Sequence, residues 1–119
     1  MYVMRDFACD GKLDKMQEFV LNDERDEILR DCRNISSCIT MANCIYVTCI
    51  SEYEERRKYQ DLAIGYCMRI KQELQFIVDA FPRKININKY ARSIKLADKE
   101  IVLIKAWRKS DKKLKEKLG

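Results

Sequence analysis

Between Asp23 and about Cys49 the apolar positions Ile28, Cys32, Ile35, Ile39, Ala42, Ile45 or Tyr46, and Cys49 recur at steps of three and four, which lays them on one stripe of a helix. Asn22 and Asp23 stand where a side-chain oxygen can accept from the free first-turn amides. Glu24, Asp26 and Glu27 follow at the end where the helix dipole favours negative charge. A second stripe, Tyr59, Ala63, Tyr66, Ile70, Leu74, Ile77 and Phe81, predicts a helix from Ser51 or Glu52 to Phe81, with Ser51 as its cap and Glu52, Glu54 and Glu55 in its first turn. No Pro or Gly separates these two helices, so one helix kinked through residues 47–53 is the other reading. Gly65, inside the second, costs roughly 1 kcal/mol relative to Ala, which close helix approach would offset.

Pro82 stops the second helix, because it lacks an amide hydrogen and disfavours helical geometry at Phe81. Beyond it, Asn86 or Asn88 can cap a last helix whose stripe is Ile87, Tyr90, Ile94, Ala97, Ile101 and Ile104. A second seam, Leu96, Leu103, Trp107, Leu114 and Leu118, runs beside it. Together they are wider than one partner helix needs, which makes Leu103, Trp107 and Leu114 candidates for contact with another subunit. A weaker pattern, Phe7, Leu13, Met16, Phe19, Val20 and Leu21 around a helix-disfavouring Gly11, predicts a short helix near residues 12–21. One short and three long helices with tight connections predict a single all-α domain over residues 1–119, packed as an up-down four-helix bundle.

Composition agrees with this reading. One Pro and three Gly in 119 residues suit long helices, and the length is enough to bury a core without a metal or disulfides. The six cysteines follow no charged-then-apolar leader, so they are expected to be reduced thiols of a cytoplasmic protein. No apolar window of about 18 residues is present, and none predicts a membrane span. The net charge of +5 is unevenly spread. Residues 1–31 hold 5 Lys/Arg against 9 Asp/Glu, net −4, and residues 105–119 hold 7 against 2, net +5. Such polarity steers an anionic partner to one end or orders subunits head to tail.

The inventory for chemistry is thin. With no His, the commonest general base and metal ligand are missing. Successive cysteines are 23, 6, 6, 5 and 18 positions apart, unlike the two-residue gaps of paired zinc ligands. The glycines form no phosphate loop, and the carboxylates sit mostly at helix starts. No metal, no cofactor and no catalytic role are expected. The six thiols read as small core residues, Cys32 and Cys49 lying on the first stripe, and Cys67, near Arg69 and Lys71 in sequence, is the candidate for a reactive thiol.

The basic residues carry more. Arg56, Arg57 and Lys58 lie early in the second long helix, and Lys105, Arg108, Lys109, Lys112, Lys113, Lys115 and Lys117 crowd the last. An antiparallel pair hinged at Pro82 brings the start of one beside the end of the other, so the two runs are expected to form one patch that neutralises phosphates by backbone or shape recognition. Trp107 is either a stacking platform for a base or a packing residue.

The stretch "YQDLAIGYCMRIKQELQFIVDAFP", followed by "NKYARSIKLADKEIVLIKAWRKSDKKLK", resembles the helical pair of the accessory variability determinant proteins of diversity-generating retroelements, which are similar in fold to helical proteins encoded in ribosomal RNA intervening sequences. The likeness spans about residues 50–115 and rests on size, bundle pattern, basic charge, the turn at Pro82 and "IKAWRKSD". It implies a basic homopentamer that binds the element's reverse transcriptase and its RNA or DNA template without being an enzyme. It carries over only the basic surface, Arg56, Arg57, Lys105, Arg108, Lys109, Lys112 and Lys113; the acidic first 31 residues depart from it. The other expectation is an adaptor bundle that joins proteins and has no affinity for nucleic acid.

Overall fold

The structure, a computed structural model, describes residues 13–118. Three long helices account for most of them: α1 (Lys15–Asn43), α2 (Ile50–Ala80) and α3 (Ile87–Leu118). Local hydrogen bonds accompany each helix start. At the start of α1 the Gln17 amide donates to Asp14 Oδ1 at 2.7 Å and the Asp14 amide donates to Gln17 Oε1 at 3.2 Å, a reciprocal capping box. This corrects two expectations. The short helix near residues 12–21 and the helix from Asp23 are one continuous α1, and Asn22 and Asp23 lie in its interior as exposed side chains. A residue able to cap does not cap when the chain before it is already helical. The described residues therefore form a three-helix array, not a four-helix bundle; residues 1–12 lie outside the description.

The chain leaves helix after Asn43 and re-enters at Ile50, so no kinked helix runs through residues 47–53. Cys49, extended and exposed, takes the N-cap position expected for Ser51. The first turn of α2 is held by Glu52, whose carboxylate accepts from the Thr48 amide at 3.1 Å and from the Thr48 hydroxyl. Those hydrogen bonds, the hydroxyl's first, hold Glu52 below the ordinary carboxylate range. Asn86 is the cap of α3: its Oδ1 accepts from the amides of Asn88 and Lys89 at 3.1 and 3.3 Å.

Helix α2 is the centre of the array, packing along both neighbours. As α2 advances from Asp61 to Lys71, its ion-pair partner on α3 recedes from Arg108 to Asp98, so the two are antiparallel. On the other flank Arg69 reaches Glu27 and Asp31 of α1. The result is an up-down array 59 Å long and about 21 by 20 Å across. Its core changes along that length. At the Pro82 end Leu21, Ile28, Ile70, Leu74, Ile77, Phe81, Ile85 and Tyr90 form one buried cluster. The middle is built from smaller groups, Cys38, Ala63 and Cys67, with Ile64, Ile101 and Ile104. Burying each large aliphatic side chain contributes roughly 1.5–3 kcal/mol, so most of the apolar stabilisation sits at the Pro82 end.

Candidate nucleic-acid interface

The end opposite Pro82 is polar. There the first turns of α2 lie beside the last turns of α3, and a buried carboxylate joins them. Asp111 continues the inward stripe Tyr90, Ile101, Ile104 by helical steps, and its side chain is only 4% exposed. Gln60, also buried, donates its Nε2 to Asp111 Oδ2 at 2.8 Å, leaving its own Oε1 buried without a donor. The Arg56 Nε lies 3.0 Å from the same oxygen, off the axis of its N–H, a charge contact more than a hydrogen bond. Arg56 also stacks over the Trp107 ring at 5.0 Å and donates to the Ile45 carbonyl at 3.4 Å.

A second carboxylate organises the rim. Asp61 accepts from Arg108 at 2.6 Å and lies 3.6 Å from the Arg57 Nε. The Tyr53 hydroxyl accepts from Arg57 at 3.2 Å, and this contact, with the Asp61 charge behind it, holds the guanidinium still more firmly in its charged form. Lys115 lies over the face of the Tyr53 ring at 5.2 Å.

Of the residues singled out in the sequence, α2 and α3 therefore bring Arg56, Arg57, Lys58, Lys105, Arg108, Lys109, Lys112 and Lys113 to one half of the molecule, but in two chemical states. Arg56, Arg57 and Arg108 are engaged by Asp61 and Asp111, two carboxylates against three guanidinium groups, which lowers the net positive charge there by two. Lys58, Lys105, Lys109, Lys112 and Lys113 are exposed and, among the described residues, form no ion pair. Arg92, Lys95, Lys99 and Lys117 are exposed as well. With Lys109 and Lys113 they fall on one face of α3, which runs about 38 Å from residue 92 to residue 117 at 1.5 Å per residue. The acidic start of α1 lies at the far, Pro82 end of the array, because α1 runs antiparallel to α2.

Trp107 is partly buried with one face taken by Arg56. Leu103 and Leu114 are 63% and 43% exposed and stand with Leu96 and Leu118 as an uncovered apolar seam. Cys67 is not reactive: it is buried in the core, and burial, then the nearby Glu100 charge, pushes its thiol up to about 11. Cys49 is exposed rather than on a buried stripe.

Sequence reading missed Tyr53, Gln60, Asp61 and Asp111. The signal was present: a lone Asp inside "RKSDKK", at the next inward step after Ile101 and Ile104, is a poor fit to a solvated lysine face. Among the described residues no group of His, Cys, Asp and Glu is arranged to hold a metal ion, and no helix is long and apolar enough to cross a membrane. No family model, no curated protein and no solved structure matches the chain.

Proposed function

We propose that this chain is a non-enzymatic accessory protein that binds nucleic acid through the lysine-rich end of α2 and α3 and, following the resemblance drawn from its sequence, serves a reverse transcriptase and its RNA or DNA template as a homo-oligomer. The observation that carries the reading is the set of exposed, unpaired lysines, Lys58, Lys105, Lys109, Lys112 and Lys113, gathered on two antiparallel helices. In this reading the arginines are the frame and the lysines the contact. Arg56 and Arg108 join α2 to α3, and the lysines meet phosphates as mobile point charges without base readout.

Fluorescence anisotropy with single- and double-stranded RNA and DNA of mixed sequence tests it. Neutralising about 4–5 phosphates predicts a drop in affinity of roughly 10²–10³ between 50 and 200 mM salt. The quadruple variant Lys105→Glu, Lys109→Glu, Lys112→Glu and Lys113→Glu is expected to abolish binding with unchanged helical circular dichroism. Binding that survives in this variant removes the assignment.

The exposed seam Leu96, Leu103, Leu114 and Leu118 favours a second reading, an adaptor whose α3 receives an apolar helix of another protein. Under that reading Leu103→Lys abolishes partner capture and the lysine substitutions do not.

A further inference from the structure

Asp61 holds two arginines that reach it from different helices. Arg108 of α3 donates to its Oδ1 at 2.6 Å, and the Nε of Arg57 on α2 lies 3.6 Å from the same oxygen. The other carboxylate of this end, Asp111, is 4% exposed, whereas Asp61 is 49% exposed. Parting Asp111 from Arg56 strands charge in the interior. A half-exposed pair is screened by water and salt, so its carboxylate exchanges readily for another anion. The approach from solvent is open as well. Asp61 and Arg57 line a surface depression with Gly65, on which a Cβ meets nothing within 4 Å, so the close helix approach expected at Gly65 does not occur within the chain.

Two guanidinium groups converging on one oxygen suit a phosphate at least as well as a carboxylate, because a phosphate offers them more acceptors. Arg57 is already positioned by its 3.2 Å hydrogen bond to the Tyr53 hydroxyl. Lys105 and Lys112 stand one helical turn to either side of Arg108, and Lys58 follows Arg57; all three are exposed and, among the described residues, form no ion pair.

From this geometry we infer that Arg57 and Arg108 form a phosphodiester site that Asp61 occupies in the free protein, and that a backbone phosphate of a nucleic acid displaces it. The inference rests on the nucleic-acid reading above and adds to it one defined phosphate position with a built-in competitor. The frame survives the exchange, since the phosphate replaces Asp61 as the anion joining α2 to α3. A strand is the ligand, and not free phosphate, because its neighbouring phosphates reach Lys58, Lys105 and Lys112 and so offset the cost of displacing Asp61.

Fluorescence anisotropy of the full chain with a labelled mixed-sequence RNA oligonucleotide tests this. The near-isosteric Asp61→Asn is expected to tighten binding about 5–10-fold and to steepen the slope of log K against log salt by about 0.9, the share of one further phosphate. Glu54→Gln removes a carboxylate that lines the same depression without an ion pair, and it is expected to change affinity by less than about 2-fold. Arg108→Gln gives the decisive comparison. It is expected to weaken binding about 2-fold in the wild type, where the arginine must first leave Asp61, and about 10-fold in Asp61→Asn, with helical circular dichroism unchanged; a general charge effect makes the two substitutions act independently. Equal effects of Arg108→Gln in both backgrounds, or an Asp61→Asn chain that binds no tighter than wild type, overturns the inference and leaves the lysine reading standing. Full displacement of the RNA from Asp61→Asn by about 10 mM inorganic phosphate at matched ionic strength overturns the assignment to a strand. If neither wild type nor Asp61→Asn binds, both readings fall together.

Discussion

Cysteine chemistry in this chain is decided residue by residue. Cys38 and Cys67 are buried and their thiols are pushed up by desolvation, Cys67 to about 11, whereas Cys44 and Cys49 are exposed in the α1–α2 connection. The thiolate is the reactive form, so burial acts twice, by limiting access and by suppressing ionisation. Labelling of the native chain with a maleimide at pH 7.5 is expected to modify Cys44 and Cys49 within minutes, leaving Cys38 and Cys67 unmodified until denaturant is added. Mass spectrometry of the digested protein reads the order, and early modification of Cys67 would contradict its burial. Arg69 and Lys71, which suggested a reactive Cys67 from neighbours in sequence, point elsewhere. Arg69 is drawn to Glu27, Asp31 and Glu73, and Lys71 to Asp98.

At the scale of the element, α2 and α3 are zipped at both ends by different means, apolar near Pro82 and polar near Asp111. Removing one partner of a buried pair leaves the other uncompensated. Asp111→Ala strands Arg56 and Gln60, and it is expected to lower unfolding free energy by about 2–3 kcal/mol, below what fully buried pairs cost because Arg56 keeps some solvent. Asp111→Asn, which keeps an acceptor for Gln60, should cost less. Urea titration followed by circular dichroism measures both. Most of this pairing was legible in the sequence. The stripes of α2 and α3 and the turn at Pro82 are strong periodic signals, and Ala63, Ile70, Leu74, Ile77, Tyr90, Ile101 and Ile104 are buried as their spacing predicts. The caps of α1 and α2 were not, because Asp14, Asn22, Asp23 and Ser51 are equally competent by residue type and only the path of the preceding chain chooses among them. The split between free lysines and engaged arginines was hidden for a similar reason. It depends on which carboxylate stands opposite, and counting equal steps outward from the Pro82 turn is what sets Asp61 against Arg108.

For the whole molecule the joint between α1 and α2 sets the response to pH. Asp31 is buried and Glu73 nearly so, and the two carboxyls face each other across the helices with Arg69 and Glu27 at the edge. Burial first, and then the hydrogen bond with Asp31 and its charge, pushes Glu73 up to about 8. A carboxyl whose folded value exceeds its unfolded value near 4.5 binds more protons in the fold. Its contribution to stability is therefore full at low pH and is lost as pH rises toward 8. Melting temperature is expected to fall between about pH 5 and 8 in the wild type, and Glu73→Gln, which can still donate to Asp31, should flatten the profile and raise stability at pH 8 by roughly 1–2 kcal/mol. A wild-type profile that rises over that range would show that Glu73 is not held protonated in the fold.

The last inward anchor of α3 is Asp111, and the seven residues after it, Lys112–Leu118, are all exposed. They extend about 10 Å beyond the last buried residue of the helix. Lys115, over the Tyr53 ring, ties this tip to the body, while the charges of Lys112 and Lys113 face outward. A change of side chain at the outward-facing positions of the tip therefore alters what the chain can touch before it alters the scaffold behind it.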